Sequence, residues 1–178
     1  MVARCRRNDR AAQMEIYKKY SKAMYNTALR IVKDTTEAED LMQEAFIDAF
    51  RKIRQFQFKS AFGAWLKRIV VNKSLDAVRQ HIQFEDIDEI PEPADYNEEK
   101  AHQEQMGYHL EEVKKAIYQL EHKDRVIISL YLFEGYDHEE IAQILEISHN
   151  AARTRYSRAR KNLVNLVKEN RTMKTFLS

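Results

Sequence analysis

Apolar residues recur along most of this chain with the spacing of a helix. Over residues 9–32, Tyr17, Tyr20, Met24, Ala28 and Ile31 mark one buried stripe. Asp34, Thr35 and Thr36 then offer a helix start, with Glu37, Glu39 and Asp40 in the first turn, where the helix dipole favours acids. Through residues 36–54, Ala38, Leu41, Met42, Ala45, Phe46, Ala49, Phe50 and Ile53 repeat at spacings of three and four, a full apolar face. A loop over 55–59 leads to Ser60, a good N-cap, and the spacing predicts a third helix over 61–80. The pattern then fails. Residues 81–99 hold both prolines, Pro91 and Pro93, and read as an acidic linker with self-repelling charges. Beyond it the helical period returns over 99–120, 123–133, 138–145 and 149–169. The expected fold is all-α: a three-helix domain over residues 1–80, a flexible linker over 81–99, and a four-helix domain over 100–178.

Composition narrows the functional classes. With 3 Gly and 2 Pro in 178 residues, neither a Walker-type phosphate loop nor a Gly-rich dinucleotide fingerprint is present. A lone cysteine, Cys5, excludes an internal disulfide and a multi-Cys zinc site. The longest largely apolar run, 126–133, is 8 residues, too short to span a bilayer. The basic N-terminus lacks the apolar core of a signal peptide. A reducing cytoplasm is the expected compartment. The six histidines show no metal-binding or triad pattern, so no catalysis, metal or cofactor is expected.

Net charge is +2, but its distribution is uneven. Residues 1–80 carry 17 Lys/Arg against 9 Asp/Glu, residues 81–112 carry 1 against 11, and residues 113–178 carry 12 against 8. Two basic blocks flanking an acidic middle suggest a polyanion partner. On charge alone, three differently solvated surfaces fit as well.

Three segments carry candidate chemistry. In residues 136–162, Ile141, Ala142 and Leu145 give a short helix an apolar face, Ile147 fills a turn, and Ser148 caps the next helix. There Ala152, Tyr156, Ala159 and Leu163 form one stripe, and the outward side carries Asn150, Arg153, Thr154, Ser157, Arg158 and Lys161, with Arg155 and Arg160 as flanking charge. No acid occurs between Ile147 and Lys168. This is a helix-turn-helix pattern whose second helix suits a major groove; a basic amphipathic helix facing solvent is the plain alternative. In the 60–80 helix, with Trp65 at zero on a wheel of about 100° per residue, Phe62, Leu66, Ile69, Val70 and Ala77 fall between about 40° and 140°. Arg68, Asn72 and Arg79 fall at about −60°, −20° and −40°, so Trp65 borders both faces. An aromatic edge beside Arg and Asn suits unstacked bases; a core Trp beside a solvated Arg fits the pattern equally. Lys73 falls inside the core arc and must snorkel. In the 36–54 helix the face opposite the stripe carries Asp40, Gln43, Glu44, Ile47, Asp48 and Arg51. It suits a basic protein partner, or is a solvated face with one stray Ile.

These segments together resemble the bacterial sigma-70 family, in its short extracytoplasmic-function group. AEDLMQEAFIDAF (38–50) is similar to region 2.2, SAFGAWLKRIVVNKSLDAVRQ (60–80) to regions 2.3 and 2.4, and LYLFEGYDHEEIAQILEISHNAARTRYSRARKNL (130–163) to region 4.2. The resemblance implies a subunit that binds core RNA polymerase, through the β′ clamp helices and the β flap, and directs initiation at promoters. Core contact would fall on Asp40, Gln43, Glu44, Phe46 and Ile47. Minus-ten recognition on the melted non-template strand would fall on the 55–60 loop with Lys59 and Ser60, and on Phe62, Trp65, Arg68, Asn72 and Arg79. Duplex minus-thirty-five contacts would fall on Asn150, Arg153, Thr154, Ser157, Arg158 and Lys161. An anti-sigma factor is the further implied partner, able to hold the protein at the inner membrane face. The short linker leaves no room for a region 3 domain, and no region 1.1 is expected before residue 10. Three positions depart from the family: Glu146 stands where the turn usually has Gly, Asn150 and Ala151 replace a small pair opening the reader helix, and Glu121 replaces the usual Pro. The rival reading is an ordinary helix-turn-helix regulator of duplex DNA. A purely structural helical adaptor is disfavoured by the acid-free reader helix.

Overall fold

The computed structural model describes residues 1–81 and 110–176. Two compact units divide the chain, Met1–Phe84 and Glu85–Ser178, and among the described residues all regular structure is helical. The linker expected over 81–99 lies outside the described residues apart from His81, as does the start of the helix expected from residue 99.

The first unit holds α1 (Val2–Cys5), α2 (Arg10–Val32), α3 (Thr35–Arg51) and α4 (Phe62–His81). Asp9 starts α2: its carboxylate accepts the Ala12 amide at 3.0 Å and pairs with Arg4 at 2.8 Å. The helix ends at Lys33, whose φ of 72° reverses the chain. Asp34 follows at once and accepts the Glu37 amide at 2.8 Å, opening α3. Lys33 thus breaks α2 and Asp34 begins α3. The third expected helix starts later than Ser60. The Ala61 carbonyl accepts the amides of Ala64 and Trp65 at 3.0 and 3.2 Å, which puts Ser60 outside the first turn. The 36–54 helix also stops early, at Arg51, and a 3-10 turn over Ile53–Gln55 enters the loop.

The core of this unit is one stripe per helix: Ile16, Met24 and Ala28 of α2, Met42, Ala45, Phe46 and Ala49 of α3, and Phe62, Leu66 and Val70 of α4. Gly63 permits close approach of α4 to α2, because a Cβ there would lie 2.9 Å from Tyr20 Cε1. Burial on α4 extends past the expected arc to Val71, Ser74, Leu75 and Val78. The short α1, absent from the hydropathy pattern, brings Cys5 into the same core.

The second unit holds α5 (Leu110–Gln119), α6 (His122–Leu132), α7 (His138–Leu145) and α8 (His149–Phe176). Every residue from Asp124 to Leu130 on α6 is buried, as befits a helix apolar on most sides. Rings from three helices meet at one point: Tyr131 lies 4.9 Å from His138 and 4.3 Å from Tyr156. Helix α8 continues past residue 169 because its end has partners on α5: Arg171 Nε donates to Glu112 at 2.8 Å and Asn170 Nδ2 to Gln119 at 2.8 Å.

A reciprocal cap starts α7. Asp137 accepts the Glu140 amide at 2.8 Å while Glu140 accepts the Asp137 amide at 3.1 Å. Replacing Asp137 by Ala should destabilise the protein by about 1 kcal/mol, and Asp137→Asn, an equally good cap, should cost much less. Urea unfolding followed by circular dichroism checks the order; equal losses in both variants would mean that the cap is not what Asp137 contributes.

Candidate nucleic-acid interface

The turn between α7 and α8 is built without glycine. Glu146 takes φ 57° and ψ 43°, left-handed backbone, and its amide closes on the Ala142 carbonyl. The Ile147 amide reaches the same carbonyl at 3.0 Å. Ser148 Oγ then accepts the Ala151 amide at 3.1 Å and starts α8. The departure from Gly at this turn therefore leaves the left-handed geometry in place. Ala152, Ala159, Leu163 and Val167 are buried. Asn150, Arg153, Arg158 and Lys161 are exposed, and Thr154 and Ser157 half-buried. These six span an arc of about 140° on a regular helix, an acid-free ridge of the width a major groove admits. Arg155 does not belong to it: at 8% exposure it lies on the packed side, so the flanking charge expected there is a structural one.

A buried acid on α6 holds α8, and the buried arginine beside it closes the turn from α5. Asp124 accepts Asn162 Nδ2 of α8 at 2.7 Å. Arg125 donates to the Leu120 carbonyl at 3.2 Å and meets His122 Nδ1 at 2.7 Å. Burial pulls the Arg125 guanidinium below its ordinary value. Glu121, at the position where the resemblance leads one to expect proline, has φ −54°, within the range a proline ring would impose.

In the first unit the aromatic edge has both features the sequence left open. Trp65 is half-buried, its ring 5.3 Å from Phe56 and 5.5 Å from Phe62. The indole is anchored on two rings and stays partly exposed. Arg68 and Asn72 are exposed beside it on α4, Arg79 is half-buried, and Lys59 and Ser60 are exposed in the preceding loop. Phe62 lies on the packed side, where its place on the helical wheel puts it, and not at the DNA face that the resemblance implies. It is buried between Tyr20, Phe56 and Trp65, so it backs the Trp65 ring and does not face outward. Phe58, which no apolar period picks out, is 56% exposed in that loop.

The face of α3 carries Asp40, Gln43, Glu44 and Ile47 outward, and Ile47 is 50% exposed. Phe46 was expected with them, yet it is 2% exposed and packs 4.9 Å from Tyr17; it supports the face from beneath. Lys73 snorkels across from α4 to meet Glu44 at 3.1 Å and Asp48 at 3.0 Å. Part of the acidic face is thus neutralised from within, which hydropathy could not reveal. Among the described residues no group of His, Cys, Asp or Glu gathers to hold a metal ion, and no helix is long and apolar enough to cross a membrane.

Comparison with known proteins places these surfaces in context. The family model for Sigma-70 region 2 matches residues 16–82, and that for Sigma-70, region 4 matches residues 110–163. The RNA polymerase sigma-H factor of Pseudomonas aeruginosa is 32% identical over 171 residues, covering 90% of this chain and 89% of that protein. The ECF RNA polymerase sigma factor SigE of Mycolicibacterium smegmatis is 31% identical over 155 residues, covering 84% of this chain and 59% of that longer protein. Among solved structures, the sigma factor RpoE in complex with the anti-sigma factor NepR from Bartonella quintana aligns with a TM-score of 0.57 at 25% identity, covering 87% of this chain and 96% of that one.

The Lys73 pairing predicts a pH dependence. Its hydrogen bond to Asp48 holds that carboxyl below its ordinary value and raises the ammonium above its own. A depressed carboxylate stabilises the fold above its unfolded pKa, about 4, and that contribution is lost as pH falls through the lower folded value. Lys73→Met should therefore unfold more easily than the parent at pH 7, with the gap closing below about pH 4. Thermal melts read through Trp65, the one Trp in the chain, follow this unit; a gap unchanged in acid would sink the assignment.

Proposed function

The chain belongs to the sigma-70 family of RNA polymerase sigma factors, in its extracytoplasmic-function group, and from that premise we propose how its surfaces divide the work of initiation. Residues 1–80 dock on core polymerase and open the promoter, residues 100–178 read the upstream duplex, and residues 81–99 join the two. One observation carries this reading. The same chain holds an acid-free ridge behind a capped turn and, in a separate unit, an anchored Trp edge beside exposed Arg and Asn. A regulator that only binds duplex DNA has no use for the second surface.

On this reading Arg153 and Arg158 reach base edges, with Asn150, Thr154, Ser157 and Lys161 on bases and phosphates. The ridge carries no acids because a carboxylate there would be repelled by the phosphates that flank the groove. Strand opening needs something else: a platform on which an unpaired base stacks, with donors at its rim. Trp65 is that platform and Arg68 and Asn72 the rim, with Lys59, Ser60 and Arg79 meeting the backbone. Asp40, Gln43, Glu44 and Ile47 form the docking face for the β′ clamp helices, acidic around one apolar contact, and the second unit meets the β flap. The polymerase supplies the chemistry, and this subunit has no catalysis, metal or cofactor of its own. It works in the cytoplasm. As the Bartonella quintana sigma factor is bound by its anti-sigma factor, this chain is held inactive by an anti-sigma partner, which can keep it at the inner membrane face.

Docking is tested first. Asp40→Lys combined with Ile47→Ala leaves Glu44 with its Lys73 partner; it should weaken core polymerase binding about tenfold or more, with unchanged circular dichroism. Undiminished binding would mean that the face is misassigned.

DNA reading separates by substrate, on promoters that the holoenzyme selects from a randomised library. Arg153→Ala should cost about 1–3 kcal/mol in upstream duplex recognition and relax specificity at one base pair. Arg68→Ala and Asn72→Ala should leave duplex binding intact and reduce permanganate-detected opening, with partial rescue on a premelted template. Should all three variants lose duplex binding equally with no change in melting, the protein acts as a duplex-binding regulator.

A further inference from the structure

The loop between α3 and α4 is held by a residue from the other end of its unit. Arg6, just after α1, donates through Nε to the Ile53 carbonyl at 3.4 Å and through Nη2 to the Phe56 carbonyl. Its guanidinium also lies 4.6 Å from the centroid of the Phe58 ring. One side chain thus grips the loop at three places across six residues. The segment that carries it is itself anchored. Cys5 is fully buried in the core, and Arg4 pairs with Asp9 at 2.8 Å and with Glu15 of α2 at 3.4 Å.

The grip falls where the loop is strained. Phe58 has φ 59°, left-handed backbone that a bulky side chain rarely adopts. Such a conformation persists only where its surroundings hold it. Its exposed ring packs 4.8 Å from Phe56, and Phe56 packs 5.3 Å from Trp65. A continuous run of tilted ring contacts therefore leads from Arg6 through Phe58 and Phe56 to Trp65. A guanidinium suits this post: it is planar, always charged, and can serve two carbonyls while lying over a ring.

We propose that Arg6 is a positioning residue for promoter opening, holding residues 53–58 in the conformation that presents Phe58 and Trp65 to the unpaired strand. This rests on the sigma-factor reading above. On this proposal Arg6 acts through the loop, by its contacts to Ile53, Phe56 and Phe58.

The test compares Arg6→Gln and Arg6→Lys with the parent in the full chain. Acrylamide quenching of Trp65, the one Trp, reads the loop without any partner. In Arg6→Gln, quenching should rise, helicity and core binding should stay at parental values, and opening of a duplex promoter should fall about tenfold, the loss expected for charge-assisted hydrogen bonds. Premelted template should restore part of it, and Arg6→Lys, which keeps the charge without the planar fork, should fall between. Parental quenching in Arg6→Gln overturns the proposal, as does raised quenching with undiminished opening. Should Arg6→Gln lose helicity, the same measurements on Arg6→Lys decide. If the parent itself opens no promoter with core polymerase, the sigma reading fails, while the quenching comparison still decides whether Arg6 holds the loop.

Discussion

Close approach of helices through small residues underlies the first unit. Ala12 and Ala28 on α2 and Ala38, Ala45 and Ala49 on α3 are fully buried, small positions at which helices can approach, with the Tyr17 and Phe46 rings packed between α2 and α3. A unit of this size can build only a modest core, and each helix must commit one whole stripe to it. What remains of each helix is turned outward. The docking face of α3 and the basic ridge of α8 are both such remainders, with orientations set by the apolar stripes behind them. Phe46 and Phe62 show how strict this is: both flank candidate contacts in sequence, and both lie on the packed side.

Polar groups then fix how the helices register. A buried charge or amide is costly unless it is bonded, so each one acts as a position marker. Asp124 with Asn162 locks α6 to α8, and Arg125 closes the turn between α5 and α6 through the Leu120 carbonyl. Lys73 joins α4 to α3 at the margin of the core. That contact joins the helix of the proposed opening surface to the helix of the proposed docking face.

Tight reversals add a second constraint. With 3 Gly in the chain, most left-handed positions fall to other residues: Asn8, Lys33, Phe58 and Glu146, with Gly135 the glycine among those described. Two of these sit at the loops that lead into the reading helices. Glu146 is steadied by the amides that converge on Ala142, and Phe58 by Arg6. Short-range hydrogen bonding suffices at the first, whereas the second needs a residue about fifty positions away.

Period and capping chemistry determined much of this protein locally. The apolar stripes of α3 and α8, part of that of α2, a helix start within residues 34–36, the acid-free run beyond Ile147 and the border position of Trp65 all follow from the order of residues, because a helix converts spacing directly into a face. Only the tertiary structure decided which side chains on a border turn inward. Arg155, read from the sequence as flanking charge, lies within one helical step of exposed positions, and packing settles its side. It also decided what Lys73 and Arg6 hold, since their partners are acids and carbonyls distant in sequence. Carbonyl groups carry no side-chain signature, so the Arg6 grip could not be read before the chain was folded.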